Sequence, residues 1–163
     1  MQILVPEPCH LERLRQAIGL VAAEKIYLGR VTAPEPEKLS RFMNRQLAEK
    51  LPISVALDGD AVVGWADVAP HENPLYRHRG ELGMGVIASH RGRKLGPELL
   101  AHCLGQCPRA GIEKVELNVY VDNERAIRMY ERAGFSRVGV IKSFRKLDGR
   151  YADCLVMEKF LKE

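Results

Sequence analysis

Residues 81–100 read ELGMGVIASHRGRKLGPELL, and a change of period inside them decides what the chain can be. Leu82, Met84 and Val86 alternate with Glu81, Gly83 and Gly85, the two-residue period of a strand. After Ala88-Ser89-His90 the chain turns basic, with Arg91, Gly92, Arg93, Lys94 and Gly96 in quick succession. Leu95, Leu99, Leu100, Cys103 and Leu104 then recur at helical spacing. A strand therefore runs into a glycine-containing turn and leaves it as a helix. The first N–H groups of such a helix lack intrahelical acceptors and carry the positive end of its dipole. With Arg and Lys beside them they make a seat for a phosphate-bearing ligand; the plainer alternative is a solvated basic loop.

Working outward, the flanks supply the rest of an α/β chain. Gln2–Val5 opens as a short strand that Pro6 and Pro8 end. Residues 10–24 and 37–50 carry apolar stripes at helical spacing: Leu11, Leu14, Ala17, Ile18 and Val21 on one, Leu39, Phe42, Met43 and Leu47 on the other. Their charges, Glu24 and Glu35 among them, read as solvated. Residues 53–57 and 61–68 are strands joined by Asp58-Gly59-Asp60, a hairpin signal. In the second of them Trp65 and Asp67 share a face opposite Val62, Gly64 and Ala66. Residues 70–80 read as a polar loop.

Beyond the organising stretch, residues 112–121 form a further strand. Asn123 caps a helix that ends at Gly134. Residues 135–144 and 151–160 are strands around Asp148-Gly149. The order is β, α, α, β, β, β, α, β, α, β, β, a mixed α/β arrangement with a central meander and a terminal hairpin.

Composition bounds the function. The 163 residues, 46% hydrophobic and 28% charged, suit one soluble domain spanning residues 1–163. A net charge of +4 fits an anionic small ligand, and no basic run interleaves with aromatics, so no nucleic acid partner is expected. The amino terminus is unlike a signal peptide and no apolar run has the length of a membrane span, so a cytoplasmic protein with no membrane partner is expected. Cys9, Cys103, Cys107 and Cys154 should then be reduced. Cys103 and Cys107 lie beside His102, but no second ligand pair follows at metal-site spacing; they read as buried thiols, and no metal is expected.

The second half also carries motifs. Arg91-Gly92-Arg93-Lys94-Leu95-Gly96 after a strand resembles the acyl-CoA motif of the GNAT superfamily of N-acetyltransferases. Asn123, Ala126, Tyr130, Gly134 and Phe135 stand in the family pattern N-x-x-A-x-x-x-Y-x-x-x-G-F, and the tail from Asp148-Gly149-Arg150-Tyr151 to Met157 is similar to that of many small bacterial members. One departure is Lys94, where the family usually has Gly.

The resemblance implies a mixed, centrally splayed sheet of about seven strands flanked by about four helices. Acetyl-CoA would enter the gap, its pyrophosphate on the backbone of Gly92, Arg93, Lys94, Leu95, Gly96 and Pro97 with Arg91 beside it. Its pantetheine would pair with Met84, Gly85 and Val86 like an added strand. Asn123 and Tyr130 would complete the cofactor site. The family pattern makes Tyr130 the acid at the CoA sulfur, and a Val86 N–H at a strand bulge would meet the oxyanion. Packing in the core is the other reading of Tyr130.

The base is less determined. Asn118 stands where some relatives, such as the ribosomal-protein alanine acetyltransferases, have Glu. Glu81 is the leading candidate, followed by Glu116, Asp67 and a water relay. Glu81 shares a strand face with Gly83 and Gly85, which leave room for a ligand, and partial burial would raise its pKa. The acceptor expected is a small-molecule amine or amino acid rather than a protein N-terminus. A non-catalytic acetyl-CoA sensor is the rival reading, and the resemblance admits a homodimer.

Overall fold

Two parallel strands that barely touch set the shape of the sheet. In the computed structural model, which describes residues 1–161, β4 (Arg79–Val86) and β5 (Lys114–Tyr120) pair only at Arg79↔Lys114, Gly80↔Val115 and Glu81↔Glu116. Beyond Glu81 they part and leave a V. The other strands are β1 (Gln2–Leu4), β2 (Ile53–Asp58), β3 (Ala61–Pro70), β6 (Ser136–Leu147) and β7 (Arg150–Phe160). The sheet order is β1-β2-β3-β4-β5-β7-β6, antiparallel except at the V. Four α-helices flank it: α1 (Leu11–Ala23), α2 (Pro36–Ala48), α3 (Leu95–Leu104) and α4 (Glu124–Arg132). This is the splayed, seven-stranded mixed sheet with four helices that the sequence motifs imply.

Each face of the sheet has its own core. The stripes of α1 and α2 bury Leu14, Val21, Leu39 and Met43 against Ile53, Val55 and Trp65. On the opposite face Leu95, Leu99, Leu100 and Ile127 of α3 and α4 meet Val63, Val68, Leu117 and Met157. Leu99 and Leu100 are almost fully buried, and each such side chain contributes about 1.5–3 kcal/mol. Cys103 and Cys107 lie in this second core, as free buried thiols, and burial pushes the Cys107 thiol up to about 12. Among the described residues no three His, Cys, Asp or Glu side chains gather as metal ligands.

The structure corrects several boundaries. β3 runs on to Pro70 and β4 starts at Arg79, so the polar loop shrinks to residues 71–78. The pairing of β2 with β3 slips between Ala56 and Leu57, which turns Val62 to the Trp65 side instead of the opposite face. β6 is longer than its apolar pattern suggested and is bulged at Arg137/Gly139 and Ile141/Arg145. No described helix is long and apolar enough to cross a membrane.

Candidate active site

A cleft of about 1100 Å³ opens along the V and reaches both faces of the sheet. Toward α3 and α4 it is lined by Met84, Val86, the turn from Arg91 to Pro97 except Arg93, Asn123, Arg125, Met129 and Tyr130. Toward α1 it is lined by Tyr27, Leu28, Gly29, Glu81, Asn118, Tyr120, Phe144 and Cys154. The backbone explains why the V can hold a ligand. Ile87 N–H bonds the Val63 carbonyl at 3.0 Å, so alternation along β4 turns the N–H and C=O groups of Met84 and Val86 toward the gap. The Val86 carbonyl there takes a bond from Arg91 Nε at 2.9 Å.

The turn after β4 is a concentration of free donors. Among the described residues no acceptor meets the N–H groups of Gly92, Arg93, Lys94, Leu95 or Gly96, and the first bond of α3 runs from Glu98 N–H to the Lys94 carbonyl. Gly92 (φ 81°) and Lys94 (φ 64°) both take the left-handed region, which aims successive amides to one side. Lys94 holds this left-handed conformation at a steric cost that a glycine there would not bear. Pro97 has no N–H to offer, so its part is to shape the first helical turn. Gly96 is small for another reason as well. A Cβ there would sit 3.0 Å from Met129 Sδ, so its absence lets α4 close on α3.

Arg91 departs from the expected role. Its guanidinium grips both carboxylate oxygens of Glu24 at 2.7 and 2.5 Å and lies over the Tyr27 ring at 4.7 Å. The side chain is thus committed to the end of α1 rather than free for phosphate. Glu24, expected to be solvated, is a partly buried partner whose carboxyl Arg91 holds below the usual range. The pair straps the α1–α2 connection to the end of β4. Sequence inspection missed it because sixty-seven positions separate the two residues. Arg125, unassigned to the cofactor in the sequence reading, reaches to 3.4 Å from a Cβ built on Gly92. Helical spacing from Asn123 could have flagged it.

At the vertex four carboxylates or amides converge. Glu81 is exposed and accepts a bond from Asn118 Nδ2 across the V at 3.3 Å. The partial burial that would raise its pKa is therefore not present. Nor do Gly83 and Gly85 leave open room: a Cβ on Gly85 would strike the Trp65 indole at 2.4 Å, and one on Gly83 would lie 3.4 Å from Asp67 Oδ2. The glycines admit side chains of β3. Glu116, next to Glu81 in the ladder, is neutralised by Arg79 (2.8 and 2.9 Å) and Lys114 (3.2 Å), with Arg79 the main cause of its lowered pKa. It is a poor base. Asp67 is partly buried, and burial, with the charge of Glu81 second, pushes its carboxyl up to about 7.

The family model for the acetyltransferase (GNAT) family matches residues 20–135. The chain belongs to that family. Among its relatives is the L-amino acid N-acetyltransferase AaaT of Escherichia coli, 26% identical over 91% of this chain and 90% of that protein. The N-alpha-acetyltransferase RimI of Mycobacterium tuberculosis is 31% identical over 71% of each chain. A phosphinothricin acetyltransferase of Sinorhizobium meliloti, solved in complex with acetyl-CoA, superposes with a TM-score of 0.90 at 21% identity, over 99% of this chain and 89% of that one.

In this GNAT acetyltransferase Tyr130 lies on the inner face of α4, 8% exposed, edge-on to Phe135 at 5.8 Å between ring centres. It belongs to the core under α3 and α4, yet its hydroxyl bonds no backbone group among the described residues, and burial raises its pKa. Asn123 spends its Oδ1 on the Ala126 N–H as the cap of α4. The bulge anticipated at Val86 is absent, since β3 and β4 pair without a register shift from Gly64↔Val86 to Pro70↔Gly80.

Proposed function

We propose that this acetyltransferase moves the acetyl group of acetyl-CoA to the primary amine of a small molecule, with an amino acid as the favoured acceptor. The observation that carries the reading is the division of one cleft: a cradle of free amides on one side of the V, the Glu81 carboxylate at its vertex on the other. The pyrophosphate would lie on the amides of Gly92–Gly96, with Arg125 adding charge. The pantetheine would run along Met84 and Val86 as an added strand and bring the thioester to the vertex.

An ammonium drawn to Glu81 loses one proton to the carboxylates there. The amine lone pair then forms the C–N bond while the carbonyl electrons move to oxygen. The N–H of Val86, directed into the gap, is suited to that oxyanion. On collapse the C–S bond breaks, its electron pair goes to sulfur, and the second nitrogen proton passes to sulfur through the Tyr130 hydroxyl. Free CoA thiol and the amide result. The raised pKa of Tyr130 keeps the hydroxyl protonated and ready to donate.

One fact favours an amino acid: the Escherichia coli relative is named for L-amino acids. A screen of amines and amino acids with acetyl-CoA, followed by free-thiol release, tests the reading. Turnover concentrated on amino acids supports it. Acetyl-CoA binding with no thiol release from any acceptor would return the protein to a sensing role.

A further inference from the structure

Asp67 is an unusual group for its place. It sits in the middle of β3, opposite Gly83, with its carboxylate against the spot where a Gly83 side chain would be. Among the described residues it has no hydrogen-bond donor and no cation. A partly buried carboxylate without a partner costs stability, and a chain keeps one where it serves a purpose. Its ladder partner on β2 is Ile53, and the core on this face of the sheet, with Val21, Leu39, Met43 and Trp65, is apolar. From α3 the nearby titratable group is Cys103, whose thiol is held neutral by burial and by the charge of Asp67. From β4 comes Glu81.

Asp67 and Glu81 are diagonal neighbours on one face of an antiparallel pair, Asp67 facing Gly83 and Glu81 standing two positions along. Two carboxylates so placed resist being ionised together, and their protons belong to the pair. Glu81 lines the cleft and Gly83 leaves Asp67 directly behind the cleft wall.

We propose that Asp67 and Glu81 act as one carboxylate pair that takes up the single proton released by the incoming ammonium, Glu81 meeting the substrate and Asp67 acting through Glu81. The inference rests on the acetyl-transfer reading above. The balance is simple: R–NH3⁺ and the proton-free pair give R–NH2 and a singly protonated pair. After the amide leaves, the pair returns that proton to water. Glu81 is exposed and accepts a bond from Asn118, while Asp67 lies partly buried behind it, so the pair joins a substrate-facing carboxylate to one sheltered from water. Asp67 is a positioning residue for the proton, not a contact for the substrate.

The test has a spectroscopic arm and a kinetic arm. In the first, the Asp67 side-chain carboxyl is followed by ¹³C NMR against pH in wild type and Glu81→Gln. A midpoint near 7 that falls in Glu81→Gln is expected. A midpoint below 5 in wild type, or no response to Glu81→Gln, overturns the pair. In the second, kcat and kcat/KM are measured against pH with the best acceptor, for wild type and Asp67→Asn, with calorimetry confirming intact CoA binding. Loss of the acidic limb near pH 7 and a fall of about 10²-fold in kcat at pH 8 are expected. An Asp67→Asn enzyme with the wild-type limb and rate overturns the inference and leaves acetyl transfer standing. Absence of thiol release by wild type with every amine would instead sink acetyl transfer, and the pair's role with it.

Discussion

The two sides of the V are built from different materials. Toward α3 and α4 the cleft offers backbone: amides of a turn fixed by left-handed residues, and strand groups left unpaired where β4 and β5 separate. Toward α1 it offers side chains brought from distant parts of the chain, with Glu81 from β4, Asn118 from β5 and Tyr27 from the α1–α2 connection, and Asp67 of β3 behind the wall. A backbone site tolerates many side chains and therefore binds one constant ligand. A side-chain site can be rewritten at every position and suits a variable one. The contrast predicts that substitutions on the acceptor side change turnover and leave CoA affinity alone, and that the two sides communicate where they are strapped together.

The sharpest test lies where the two sides meet. Tyr130→Phe removes only a hydroxyl, so calorimetry should give wild-type CoA affinity while kcat falls by about 10²–10⁴. A chemistry-limited rate equal to wild type would make Tyr130 a packing residue and leave sulfur protonation to water.

Glu24→Gln breaks the strap. Losing the bidentate contact to Arg91 should cost about 1.5–3 kcal/mol in denaturant unfolding. Because Arg91 lowers the folded-state pKa of Glu24, wild type has this stability in full above the ordinary value of 4.5 and loses it as pH falls through the lowered one. The variant should therefore converge on wild type at low pH. With Tyr27 and Leu28 loosened, KM for the amine should rise several-fold. An equal loss of CoA affinity would show that the two sides are not separable.

Asp67→Asn should gain stability. The folded-state pKa lies near 7 against an ordinary 3.8, so the ionised carboxylate costs nothing below about pH 4 and most above 7. The melting temperature of the variant should exceed wild type by a few degrees at pH 8, with the gap closing toward pH 4. A gap independent of pH would mean that Asp67 has a partner in solution.

The smallest effect is expected from Lys94→Gly. Relief of the left-handed strain, partly offset by the greater freedom of glycine in the unfolded chain, should leave a gain of about 0.5–1 kcal/mol. CoA affinity should change less than threefold, since the amide is retained. A tenfold loss would assign the Lys94 ammonium a direct part in phosphate binding.

Legibility in the sequence follows the same division. The turn at residues 91–97 and the cap at Asn123 were readable because local conformation is written in adjacent residues. So were the hairpins, through Asp58-Gly59 and Asp148-Gly149. The parity of Glu81, Gly83 and Gly85 was correct, but what fills the space above two glycines depends on the neighbouring strand, and Trp65 and Asp67 occupy it. The Glu24–Arg91 strap and the neutralised Glu116 were invisible because they join elements far apart in sequence. Val62 was misplaced by a single register slip, which a period-two pattern cannot contain.

Among the described residues three ladder pairs are all the backbone pairing between one plate of four strands, β1 to β4, and a second of three, β5, β7 and β6. Mechanically that is a seam. An extended ligand laid along Met84 and Val86 would rivet it, so the cosubstrate should also serve as a structural member. At a hundredfold excess over its dissociation constant, a ligand bound only by the folded state adds about 2.7 kcal/mol. That reinforcement should be lost at each turnover, when product leaves, so the enzyme is at its most fragile between catalytic cycles. Amide exchange along β4 and β5 would then depend on how much of the cycle the protein spends empty.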